Sequence, residues 1–222
     1  MAIAMASVRH WYRQVVALLA LAPLAFLFTL TQDEPLSLGL LGLGFADAAV
    51  IILFLTMSIG PAANLMPGLR PLLCWRRQLG IAVAVASGLH VAAFAVGDLR
   101  ALPGLFVEEV DGRVFLQADL ISAVSWIGLV AFSYACVLAM TSNDYSQRVL
   151  KAAWYRLHGH SYTFFVLAII HTLIGVYLIH EGRLSTVFIS MMWLGLVVSI
   201  SLRAVDFVAG IRGVRTAQAG EG

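Results

Sequence analysis

The chain has 222 residues, of which 61% are hydrophobic and 12% charged, with a mean hydropathy of +0.91 and a formal net charge of +2. A soluble domain carries about 25% charged residues, so a water-soluble enzyme core is excluded, and nothing in the pattern marks a nucleic-acid partner. The two cysteines, Cys74 in a basic loop and Cys136 in an apolar run, have no metal-ligand companions and are expected to be free thiols.

Six apolar runs follow one another, each long enough to cross a bilayer: Val15–Leu30, Phe45–Leu65, Leu79–Val96, Leu120–Met140, Ser161–Ile179 and Thr186–Val208. The first follows Arg9 and Arg13 as a signal peptide would, but it has no convincing small-residue cleavage site and is read as a retained span. A lipid-facing segment must satisfy its own backbone hydrogen bonds, and the runs lack the alternation of barrel strands, so the expected class is all-α. The expected architecture is one domain, 1–222, a membrane bundle of six helices.

Basic residues give the orientation. With the N-terminus in the cytoplasm, Arg9, Arg13, Arg70, Arg76, Arg77, Arg148, Lys151, Arg156, Arg203, Arg212 and Arg215 fall inside, against Arg100, Arg113 and Arg183 outside. Both termini are therefore expected to be cytoplasmic. Carboxylates collect outside: Asp33, Glu34, Asp98, Glu108, Glu109, Asp111, Asp119 and Glu181. In the longest outer loop, the Asp111-Gly112 pair between alternating residues predicts a small hairpin over 107–115. Such an acidic loop is either simply solvated or a dock for a partner protein.

Four of the six histidines, His90, His158, His160 and His171, lie in or at the start of spans; His10 and His180 sit at helix ends and read as interfacial. His90 follows Arg77 by thirteen residues and His171 follows Arg156 by fifteen, so both lie roughly 20 Å from the same basic edge by helix rise. Ionisable groups at such depth are costly and usually functional. Two neutral imidazoles at one level suit the two axial positions of a haem iron. Hydrogen-bonded core histidines are the bland alternative. A proton relay is another, although the only carboxylates within spans are Asp47 and Asp206, both near ends. At the inner edge, ideal periodicity puts His160, eleven residues before His171, on its face, and turns His158, thirteen before, away from it.

The segment Cys74-Trp75-Arg76-Arg77-Gln78-Leu79-Gly80, followed by Leu89-His90, resembles the third span of the ferric reductase-like transmembrane superfamily. Met140-Thr141-Ser142, Trp154-Tyr155-Arg156-Leu157-His158 and Ile170-His171 resemble its fourth-to-fifth span region. The resemblance covers spans two to five and is nearest to the haem-binding membrane subunits of bacterial periplasmic sulfoxide reductases. It implies b-type haem, with His90, His171 and His158 as axial ligands of the iron, and so prefers His158 where periodicity prefers His160. Arg76 and Arg77 stand where the NADPH oxidase branch has a second histidine on the third helix, which makes one haem the expected number, or two if His158 serves another. FMN is a further cofactor implied by the resemblance, without assignable residues.

The implied function is electron transfer across the bacterial inner membrane, as a subunit of an oxidoreductase rather than a complete enzyme. The fused flavin and nicotinamide domain of the oxidases is not seen, so the expected donor is a cytoplasmic flavin reductase or a membrane quinol. The expected acceptor is a periplasmic molybdenum-containing methionine sulfoxide reductase. The rival expectations are a ferric or metal reductase module served by a separate flavoprotein, and a transporter or proton channel using the histidines as a relay.

Overall fold

The structure, a computed structural model, describes residues 2–31, 35–97, 104, 106–110, 112–117, 119–175 and 186–219. Its helices are α1 (Ala2–Leu30), α2 (Leu38–Leu65), α3 (Arg76–Gly97), α4 (Leu120–Met140), α5 (Asp144–Leu150), α6 (Ala152–Gly159), α7 (Ser161–Ile174) and α8 (Thr186–Ala219). A 3-10 helix, Pro67–Trp75, leads into α3, and a hairpin of β1 (Val107–Val110) and β2 (Arg113–Leu116) stands between α3 and α4. Among the described residues, six helical stretches are long and apolar enough to span a membrane, and the fold is an all-α membrane bundle. Large apolar side chains such as Leu19, Leu30, Val96 and Leu194 are 64–70% exposed, the surface of a chain whose solvent is lipid rather than water.

The helices run past the sequence expectation at several ends. α2 begins at Leu38 rather than near Phe45, because Ser37 caps it by accepting the Leu40 N–H. Gly39, Gly42 and Gly44 weaken the helical signal there, yet Gly42 and Gly44 are where neighbouring helices come closest. The fifth span is broken. α6 stops at Gly159, His160 leaves helical geometry at ψ 1°, and α7 restarts at Ser161. Residues 176–179 of that expected span, and His180, lie outside the described residues.

α2 is the central helix: 56% of its apolar window is buried, against 11–28% for the other five spans. It packs on α1, α3 and α8, while α4 packs on α7 and, less, on α3. Edge-on rings bind these groups together, Phe28 with Phe188 and Phe54 with Phe165, each at 5.8 Å between centroids. At one end of the bundle, the Asn64 amide donates to Asp206, Arg203 lies 3.7 Å from the same carboxylate, and Arg203 covers the Tyr162 ring. Both cysteines are free, as expected.

The hairpin forms where the Asp-Gly pair put it, in the register Val107↔Leu116 to Val110↔Arg113, with Gly112 at φ +72°.

Candidate functional site

His90 on α3 and His171 on α7 approach each other across the bundle, with ring centroids 6.5 Å apart and planes at 74°. Each ring is tied at Nδ1 to a backbone carbonyl of a different helix. His90 reaches Gly42 of α2 at 3.0 Å, and His171 reaches Val124 of α4 at 2.9 Å. A carbonyl oxygen only accepts, so Nδ1 carries the proton in both neutral rings and Nε2 carries the lone pair. Hydrogen bonding at the far nitrogen is how metal-binding imidazoles are held in one tautomer and orientation.

These carbonyls are available because α2 and α3, and α4 and α7, approach closely at this level. A Cβ on Gly42 would stand 2.8 Å from the Ala93 Cβ. A Cβ on Gly128 would stand 2.5 Å from Cε1 and 2.7 Å from Nδ1 of His171. Gly128 therefore leaves the space that the His171 ring occupies. Phe94 meets His90 edge-on at 5.1 Å, and Phe132 lies over Gly88. The walls are apolar, and the pair is half-buried.

The donor set limits what this pair could hold. Among the described residues, no cluster of three or more His, Cys, Asp or Glu side chains stands close enough to share a metal. A tetrahedral zinc site takes three or four protein ligands. Two imidazoles suit an iron whose four other positions a macrocycle fills. Such a group would be held between the two rings, whose centroids stand 6.5 Å apart. The residues thus fit a haem. Of the carboxylates that a proton relay would use, Asp206 is engaged with Asn64 and Arg203, and Asp47 is buried.

The structure separates His158 from His160 by a reason that ideal periodicity misses. Because the helix breaks between α6 and α7, the two residues do not continue the α7 spiral. His158 lies against a cavity of about 590 Å³ lined also by Arg76, Arg77, Trp154, Tyr155 and Phe164, and His160 does not. The His158 ring stacks on Trp154 at 4.0 Å, and its Nε2 stands 3.2 Å from the Thr141 hydroxyl. That hydroxyl donates to the Val137 carbonyl at 2.7 Å, so it accepts from His158, whose Nε2 then carries the proton. This is the opposite tautomer from His90 and His171. His160 is exposed, with only a long 3.5 Å contact to Thr163 and a ring contact to Tyr134.

Two cations border the same cavity in different states. Arg77 donates to the Ser142 carbonyl and pairs with Asp144 at 2.7 Å. The Arg76 guanidinium packs on Gly60, and its buried Nε has no hydrogen-bond partner among the described residues. Sequence reasoning placed Arg76 at this depth but assigned it nothing. It also missed Gly42, Val124 and Gly128, since a carbonyl acceptor has no side-chain signature.

Residues 41–169 match the family model of the ferric reductase-like transmembrane component. The chain belongs to the ferric reductase-like family. The matched segment of this ferric reductase-like chain includes Gly42, His90, Val124, Gly128, His158 and His160, and ends two residues before His171. Among the curated relatives, the protein-methionine-sulfoxide reductase heme-binding subunit MsrQ of Yersinia pseudotuberculosis serotype O:1b (strain IP 31758) is 31% identical over 180 residues. That match covers 75% of this chain and 80% of the relative.

Proposed function

We propose that this chain is the haem-carrying membrane subunit of a protein-methionine-sulfoxide reductase of the bacterial inner membrane, carrying electrons outward to a periplasmic, molybdenum-containing catalytic subunit. The observation that carries the reading is the facing pair His90 and His171, with both Nδ1 atoms held by carbonyls. The MsrQ relative, a heme-binding reductase subunit, supports it independently.

One b-type haem is assigned to this pair; when bound, it supplies a one-electron couple between ferric and ferrous iron. His90 and His171 would hold it through their Nε2 atoms. The Gly42 and Val124 carbonyls hold the Nδ1 protons, which fixes the rings and makes each Nε2 a better donor. Gly128 leaves room for one ring, and Phe94 packs edge-on against the other.

Electrons enter, in this reading, at the cavity of Arg76, Trp154 and His158. About 590 Å³ is ample for FMN. An aromatic wall suits its isoalloxazine, and the Arg76 guanidinium, which lines the cavity, suits its phosphate. A cytoplasmic flavin reductase would keep it reduced. His158 lines this site and is not counted as a ligand of the first haem.

The test is the absorption and EPR spectrum of His90→Ala and His171→Ala, normalised to folded protein. Loss of low-spin, six-coordinate haem, or a five-coordinate high-spin remnant, is expected in both. Full low-spin haem in either variant would falsify the ligand assignment.

A further inference from the structure

The hairpin leaves apolar side chains in the open. Val114, Phe115 and Leu116 of β2 are 68%, 51% and 72% exposed. By the register, Val114 and Leu116 share one face with Val107 and Glu109, while Phe115 shares the other with Glu108. A two-stranded ribbon is marginally stable by itself, and an exposed apolar edge invites pairing unless something covers it.

Its base is anchored firmly. The Gln117 N–H donates to the Phe106 carbonyl at 3.0 Å, and Phe106 packs edge-on against Trp126 of α4 at 4.8 Å. The fully buried Ser122 hydroxyl donates to the Gln117 carbonyl at 2.7 Å. Asp119 caps α4 through the Ser122 N–H and accepts from the Gln117 amide. On α4 the two anchors, Ser122 and Trp126, flank Val124, whose carbonyl holds His171. From Ser122 to Val124 is roughly 3 Å along the helix axis. The exposed hairpin and the histidine pair are therefore built on the same turn of α4.

We propose that this hairpin is the docking element for the soluble reductase subunit that takes the electrons, a partner with an apolar recess inside a cationic rim. The inference rests on the function proposed above. Charge selects the occupant: Glu108 and Glu109 are exposed on the hairpin, and the sequence places eight carboxylates against three cations on this side. Anionic membrane surfaces attract basic segments and repel acidic ones, so the bilayer is the poorer occupant. A protein with a basic rim is drawn in and oriented by the same field.

The experiment uses the full-length, haem-loaded protein in nanodiscs and the purified soluble subunit of a periplasmic protein-methionine-sulfoxide reductase. Two variants are compared with the wild type: Glu108→Lys with Glu109→Lys, and Val114→Ser with Leu116→Ser. Affinity of the oxidised forms and the reoxidation rate of reduced haem are both read at several salt concentrations. Charge reversal is expected to slow association roughly tenfold at low salt and to abolish its salt dependence. The apolar variant is expected to weaken affinity roughly tenfold with the salt dependence retained. Unchanged haem spectra in both variants keep these effects separate from the ligand site. Wild-type affinity and rate in both variants overturn the docking assignment alone. Loss of binding to phosphatidylethanolamine–phosphatidylglycerol vesicles with normal partner binding makes the hairpin a lipid contact and also overturns it. Failure of the wild-type haem to be reoxidised by the subunit overturns the functional reading, and this inference with it.

Discussion

The 2.9 Å bond from His171 Nδ1–H to the Val124 carbonyl joins α7 to α4, and the 3.0 Å bond from His90 to Gly42 does the same for α3 and α2. Each half of the histidine pair is thus oriented by a helix other than its own. The rings meet only because two helix pairs meet.

Gly128 gives the sharpest test of that arrangement. Gly128→Ala gains about 1 kcal/mol of helix propensity but places a Cβ inside the His171 ring contact, and overpacking of this kind costs about 1–3 kcal/mol. The two effects offset only in part, leaving a net cost of up to about 2 kcal/mol while the ring is displaced. The expected signature is a loss of low-spin haem, or a shifted set of EPR g values, in the protein that folds. A wild-type spectrum would mean that the ring is not held as the structure has it.

Replacing His90 by Met tests ligation without opening the coordination position. Met/His ligation raises haem potentials, so His90→Met is expected to retain six-coordinate haem with a higher midpoint in a spectroelectrochemical titration. An unchanged midpoint with full haem content would remove His90 from the iron.

At the inner cavity, Arg76→Gln is expected to lower FMN retention at least tenfold, since charge-assisted hydrogen bonds to phosphate are worth about 1.5–3 kcal/mol. The haem spectrum should be unaffected. Flavin released on denaturation, measured by fluorescence against haem content, decides the matter. Equal flavin in variant and wild type places the flavin elsewhere.

His158→Ala and His160→Ala separate the two guides to this region. Removing His158 deletes a ring stacked on Trp154 and bonded to Thr141, so it is expected to slow reduction of the haem by reduced flavin severalfold. His160→Ala, at an exposed position, is expected to change little. The larger effect at His160 would restore the ideal-helix argument.

Topology follows from the basic asymmetry. Reporter fusions after Met140 and at the C-terminus should read cytoplasmic, and a fusion near Gly104 should read external. A periplasmic C-terminus would reverse the direction of electron flow argued above.

The spans were legible because lipid imposes length and apolarity on each one, and the depth of His90 and His171 followed from a fixed rise per residue. The partner carbonyls were not legible. Gly42 and Val124 act through backbone atoms that every residue has, and only the close approach of helices selects them. The start of α2 at Leu38 was hidden because its glycines read as loop, although tight packing is what Gly42 and Gly44 serve. The break at His160 was hidden for the opposite reason: no proline marks it, and the apolar pattern runs through it. His158 was placed by family resemblance where periodicity pointed to His160, and it is His158 that lies on the cavity.

The two orienting bonds span 48 and 47 residues of sequence, which bears on the order of biogenesis. While α3 is being inserted, Gly42 is already in the membrane and His90 can settle, but its counterpart has not been synthesised. His171 acquires its orientation only after α7, in the fifth crossing of six, has entered and found α4. A pocket closed by contacts between early and late helices cannot be filled as the chain emerges. Loading has to follow insertion of most of the bundle, so a chain stalled before α7 would be a membrane protein with one correctly posed imidazole and nothing to clamp against it.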